Sequence, residues 1–75
     1  MVFEKVRTII VDQLGADENA VTESSKIIDD LGADSLDVVD LMDGISDEFG
    51  IEIPENEVEN MVTVGDIVKY IEDNQ

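Results

Sequence analysis

Leu31-Gly32-Ala33-Asp34-Ser35-Leu36-Asp37, running on into Val38-Val39-Asp40-Leu41-Met42-Asp43-Gly44-Ile45-Ser46-Asp47-Glu48-Phe49, is the stretch from which the fold of this chain follows. A glycine-containing loop gives way there to a long amphipathic segment. At about 100° per residue, with Asp37 as origin, Leu41, Ile45, Val38, Phe49 and Met42 fall between roughly 40° and 140°, one contiguous apolar face. Asp40, Asp43 and Asp47 fall almost opposite, at about 240–300°, as a solvated acidic stripe. The pattern predicts a helix over 35–49, with Asp34 as N-cap and Asp37 at the third helical position, where a carboxylate favours the helix N-terminus. Gly50 ends it. Leu36 and Val39 break the pattern, standing on or beside the outward face among carboxylates, one turn from Ser35. The Ser35 hydroxyl is therefore expected at or near the first helical residue, exposed, beside free backbone N–H groups and a dipole that favours a phosphate.

Upstream, Phe3, Val6, Ile10 and Leu14 share an arc of about 80°, widened by Ile9 and Val11, so a first helix is expected over 2–14 with Gly15 as its stop. Residues 16–34 carry many turn formers (Asp17, Asn19, Ser24, Ser25, Asp29, Asp30, Gly32) and read as a long loop, a length unusual in small domains unless functional. Val21, Ile27, Ile28 and Leu31 are expected to pin it to the core. Downstream, Ile51-Glu52-Ile53-Pro54 leads to Asn56 and Glu59, spaced like a capping box, and a brief third helix over 57–61. Thr63 caps a fourth, in which Val64, Ile67, Val68 and Ile71 share an arc of about 100°. Met42 and Met61 read as core filler. No strand-type alternation or internal repeat interrupts this. The fold class expected is all-α: one domain over 1–75, a small four-helix bundle with a long first loop and a short third helix.

The composition narrows the function. The 75 residues hold 4 Lys and Arg against 20 Asp and Glu, a formal charge of −16, and no base lies between Lys26 and Lys69. Nucleic acid is excluded as a partner, since binding it needs cations to neutralise phosphates; basic protein surfaces are favoured. With 43% hydrophobic residues in clear periodicity, the acidity does not imply disorder. The chain has no Cys and no His, so thiol or imidazole chemistry must come from elsewhere. Charges interrupt the apolar positions of Met1-Val2-Phe3-Glu4-Lys5-Val6-Arg7, which fits neither a signal peptide nor a membrane span, and a soluble, cytoplasmic protein with no membrane insertion is expected. A domain of this size buries only about 60% of the surface its unfolded chain exposes, so self-repulsion should loosen it at low salt.

An Asp-Ser pair at a loop-to-helix boundary is ordinary in isolation, because both residues cap helices. In its setting of Gly32, Ala33 and Asp37, with this length, acidity and order of loop and helix, Asp34-Ser35-Leu36 resembles the attachment site of acyl carrier proteins. The resemblance covers essentially the whole chain, and Phe49, Gly50, Ile51, Ile53 and Pro54 add a second, weaker match. It implies that a phosphopantetheinyl transferase moves 4'-phosphopantetheine from coenzyme A onto Ser35, supplying the thiol the chain lacks. It further implies a free-standing carrier of the dissociated type, a monomer, bearing growing fatty acyl chains as thioesters between separate synthases, reductases, dehydratases and acyltransferases with basic docking patches. The acyl chain would be sequestered in the bundle core. Asp34, Asp37, Asp40, Asp43, Asp47 and Glu48 are assigned to steering such partners, and Leu36, Val39 and Ile53 to short-range contact. Two features depart from the family: Asp43 stands where relatives often carry a long apolar residue, and Gly44 lies mid-helix.

Other functions fit less well. A calcium-binding loop fails on spacing, since neither the run from Asp17 nor that from Asp29 supplies ligands at the first, third and fifth positions with Gly at the sixth. An enzyme is disfavoured because Ser35 has no evident base. A carrier of another cargo on the same arm, aminoacyl, peptidyl or polyketide, remains open.

Overall fold

The computed structural model describes residues 1–75. Four helices follow one another: α1 (Val2–Leu14), α2 (Ser35–Phe49), α3 (Glu55–Val58) and α4 (Val64–Asn74), with no β-strand. One 3-10 turn, Glu18–Ala20, breaks the first connection, started by Asp17 accepting from the Asn19 N–H at 3.0 Å. The expected all-α arrangement is the one found. α1 and α2 begin and end where the apolar periodicity does, both stopping at a left-handed glycine whose N–H turns back, Gly15 to the Val11 carbonyl and Gly50 to that of Ser46.

The N-termini of α2 and α4 are built alike. Asp34 accepts from the Asp37 N–H at 2.9 Å while the Asp37 carboxylate accepts from the Asp34 N–H at 3.2 Å. Thr63 and Asp66 make the same reciprocal pair at 3.2 and 3.1 Å. Each box satisfies donors that a helix start leaves without partners.

α3 differs from its expected span of 57–61. It runs Glu55–Val58 from Pro54 at the N-cap, with no side-chain cap. A proline has no N–H to lose at a helix start and its φ is already set near the helical value. Pro54 therefore outcompetes Asn56, and its carbonyl takes the N–H of Glu57 and Val58. Asn56 is absorbed into the turn, where its carbonyl accepts from the Asn60 side chain.

α1 packs on both α2 and α4. Val6 and Ile10 meet Leu41 and Ile45 of α2 and Val64, Ile67 and Ile71 of α4 in a core closed by Val38, Met42, Met61 and Val68. From the long loop, Val21, Ile27 and Ala33 enter this core, Leu31 is half-buried, and Ile28 is 56% exposed. The expectation that Ile28 pins the loop is thus corrected. Lys26 and Thr63 form an isolated antiparallel bridge, with the Ile27 N–H on the Val62 carbonyl and the Val64 N–H on that of Ser25, both at 3.0 Å. Beyond the bridge the chain coils into a turn over 27–31, closed by the Asp30 and Leu31 N–H groups on the Lys26 carbonyl, and with Ile27 buried at its start Ile28 is left on the outside. Ser25, which reads only as a turn former, is buried, donating to the Ala20 carbonyl and accepting the Thr22 N–H, both at 3.0 Å.

Two helical glycines now separate. A Cβ on Gly44 would stand 2.5 Å from Gln13 Nε2, the free end of a flexible side chain. One on Gly65 would stand 2.9 Å from the backbone carbonyl of Glu23, which already accepts the Gly65 N–H at 2.8 Å. Gln13 can swing aside; the carbonyl cannot. Gly44→Ala should therefore stabilise by up to about 1 kcal/mol through helix propensity, and Gly65→Ala should lose that gain to overpacking, which costs about 1–3 kcal/mol. Urea melts of the two variants should move in opposite directions from wild type.

The charge of −16 is opposed by one ion pair, Arg7 with Glu18 at 3.2 Å. The molecule measures 27 × 25 × 19 Å. At 0.01 M salt the Debye length is about 30 Å, so every carboxylate feels every other; at 0.1 M it falls to about 10 Å and distant repulsion fades. No group of three or more acids is arranged to hold a metal. Thermal melts should accordingly shift upward with NaCl as well as with millimolar Mg²⁺, and a midpoint indifferent to both would show that self-repulsion does not limit stability.

Candidate functional site

Ser35 is the first residue of α2 and is exposed. Its position follows from the capping box, which fixes where the helix begins. Every other side-chain hydroxyl of the chain is engaged. Thr8 donates to Glu4, Thr22 and Ser24 pair with each other, Ser25 donates to Ala20, and Ser46 bonds the Ile51 carbonyl. Thr63 caps α4 and Tyr70 donates to the Glu52 carbonyl at 3.2 Å. Ser35 Oγ alone makes no internal hydrogen bond. Chemically it is a free hydroxyl on a rigid helix start, with no imidazole, thiol or amine bonded to it.

A cavity of about 450 Å³ opens beside it. Its apolar wall is Val38 and Val39 of α2, Val58 of α3, and Ile28, Met61 and Val62 from the connections, while Lys26, Asp29, Glu55 and Glu59 stand with Ser35 around it. The volume lies within the roughly 300–1,000 Å³ usual for pockets that take small molecules. Ile28 and Val62 are 56% and 54% exposed. The sequence reading missed Lys26, Ile28, Val58 and Val62 as cavity wall; the available signal was that Ile28 and Val62 are apolar loop residues lying next to others that the core claims.

Of the residues predicted on the outward face of α2, Leu36 is 74% and Val39 56% exposed. Asp40, Asp43, Asp47 and Glu48 are exposed as well, and Asp37 and Ile53 are partly covered. Val39, Asp43 and Ile53 come together in a groove of about 380 Å³ with Met42, Ser46, Glu52, Glu55 and Val58. Asp47 and Glu48 do not join it. They line a separate cleft with Ile9, Asp12, Gln13 and Gly44, on the side facing α1.

Residues 4–71 match the family model of the phosphopantetheine attachment site. The chain is 55% identical over 71 residues to an acyl carrier protein of Thermotoga maritima, covering 95% of this chain and 88% of the relative. The chain belongs to the acyl carrier protein family. Its fold agrees: the structure superposes with a TM-score of 0.84 on a solved acyl carrier protein from Enterococcus faecalis, 39% identical, over 99% of this chain and 94% of the other. Phosphopantetheine is the group that this acyl carrier protein takes. The residues present fit such a group, with a free hydroxyl for its phosphate and an apolar cavity beside that hydroxyl for what it carries.

Proposed function

We propose that Ser35 is the attachment point of 4'-phosphopantetheine and that residues 1–75 act as one acyl-carrier domain for fatty acid synthesis. The observation that carries this is the solitary freedom of the Ser35 hydroxyl, exposed at the start of α2 on the rim of the apolar cavity. When bound, the group supplies the thiol that the chain lacks, on which acyl chains travel as thioesters. Everything else falls to the protein. Ser35 offers an oxygen held in place by the Asp34–Asp37 box; as that oxygen bonds to the phosphorus, the pyrophosphate bond of coenzyme A breaks, its adenosine bisphosphate part leaves, and the hydroxyl proton goes to a base of the transferase. The chain is thus an anchor rather than a catalyst.

Val38, Val39, Val58 and Met61 supply apolar shelter. Each methylene gains about 0.8 kcal/mol on leaving water, which favours an alkyl cargo over an aminoacyl or peptidyl one. Delivery depends on brief encounters with many enzymes, and long-range attraction between an acidic surface and a basic patch suits that better than a large dry interface. Asp34, Asp37, Asp40, Asp43, Asp47 and Glu48 are read as the steering charges, and Leu36, Val39 and Ile53 as the contacts made on arrival. The charge of −16 also sets nucleic acid aside, and a cytoplasmic monomer accords with this reading. Intact mass spectrometry of the protein from its native cell tests it. A mass gain of one phosphopantetheine, mapped to the Ser35 peptide with acyl group attached, is the expected result; an unmodified chain would refute the assignment.

A further inference from the structure

Attaching a phosphodiester at Ser35 adds negative charge to a surface that already carries Asp34, Asp37 and Asp40. The positive end of α2 gives limited help, because the carboxylates of Asp34 and Asp37 already occupy it through the capping box. A full positive charge must come from a side chain, and the chain has four. Three lie away from the cavity that Ser35 lines. Lys5 lies 6.0 Å from the centre of the Phe49 ring, Arg7 pairs with Glu18 and lies 5.5 Å over Phe3, and Lys69 shares a cleft with Glu57, Asp66 and Asp73.

Lys26 is left. It is exposed and, although acids outnumber bases 20 to 4, has no carboxylate within ion-pair distance. It lines the same cavity as Ser35. Its backbone is among the best-fixed parts of the loop: the N–H bonds Asp30 Oδ2 at 2.8 Å, the carbonyl accepts from Asp30 and Leu31 at 2.9 and 3.1 Å, and the residue bridges to Thr63. Asp29, Glu55 and Glu59 line the same cavity, and none of them pairs with Lys26. An exposed, unpaired cation on a hydrogen-bonded stretch of backbone, lining the same cavity as the Ser35 hydroxyl, is a counter-ion for an anion placed there.

We propose that Lys26 is the positioning residue for that anion, pairing with the phosphodiester on Ser35 and so setting the direction in which the arm leaves the helix. This rests on Ser35 being the attachment point. A carboxylate at the end of a cargo such as a malonyl group has the same anionic chemistry, so the test separates the two sources.

Apo, holo and malonyl-loaded protein are treated with a limiting N-hydroxysuccinimide ester at low salt, and acylation of each lysine is followed by peptide mass spectrometry, with intact mass confirming the arm. Pairing keeps an ammonium charged and unreactive. Exposed ion pairs are worth about 0.2–1 kcal/mol, so Lys26 should react about 1.4–5-fold more slowly in holo than in apo protein, with Lys5 and Lys69 unchanged. The ³¹P resonance of the holo protein should also move on Lys26→Gln at low salt and not at high salt. Protection of Lys26 only after malonyl loading would transfer the role to the cargo carboxylate and overturn the proposal. An arm confirmed by mass with Lys26 equally reactive throughout would overturn it while leaving Ser35 intact; no arm on wild-type protein would overturn both.

Discussion

Alanine at Ser35, the proposed attachment point, should leave the protein folded and unable to take the arm. Given a phosphopantetheinyl transferase and coenzyme A, wild type should gain the mass of one phosphopantetheine and Ser35→Ala none, a complete loss. The structure makes this a clean experiment, because Ser35 Oγ bonds nothing within the chain and the helix start it occupies is held by the Asp34 and Asp37 side chains. Alanine is also the best helix former, and exposed substitutions away from such bonds stay within about 0.5 kcal/mol. The melting midpoint should therefore hold while attachment disappears. The remaining hydroxyls are poorer acceptors of the arm, since each is tied to a neighbour. Ser25 is buried, and freeing it would leave the Thr22 N–H without its acceptor. Residual attachment to the variant would show that the transferase reaches another hydroxyl.

Much of this site is legible in the chain because its determinants are local. The helix over 35–49 is specified by its own periodicity, the Asp34–Asp37 box by a spacing of three residues, and the exposure of Leu36 and Val39 by their angle on the helix. The cavity is not legible in this way. Its walls join Ile28 to Val58, Met61 and Val62, which lie far from it in sequence and meet it only because the long loop bridges to the connection before α4 at Lys26 and Thr63. A one-residue bridge leaves no alternation to read. The same holds for Gly65, whose role depends on a carbonyl at Glu23, and for Lys26, which the fold alone brings to the cavity that Ser35 lines. α3 starts two residues and ends three residues before its expected span because two helix-start signals, Pro54 and Asn56, compete within one short turn, and the proline, which loses no hydrogen bond there, prevails.

Reversing one charge on α2 should slow delivery by an amount that depends on where the charge sits. Asp40→Lys places a cation one turn beyond Asp37, on an exposed position whose side chain bonds nothing in the fold. Steering by complementary charge can raise association rates about 10–1,000-fold, so transfer to a basic partner should fall about tenfold or more at low salt with the melting midpoint kept. Raising the salt to about 0.15 M shortens the Debye length to about 8 Å and should shrink the deficit. Asp37→Lys is a poorer probe. It also removes the acceptor for the Asp34 N–H and puts a cation at the positive end of the helix, costing about 1 kcal/mol for the cap and up to about as much again for the dipole, so it would disturb Ser35, the proposed attachment point. Asp47→Lys supplies the better comparison, because it changes the net charge by the same two units from the cleft facing α1. If partners respond to the overall field, the two variants lose equally. If they dock on the face bearing Ser35, Leu36 and Val39, Asp40→Lys loses far more, and equal, undiminished rates with every partner would remove α2 from partner recognition.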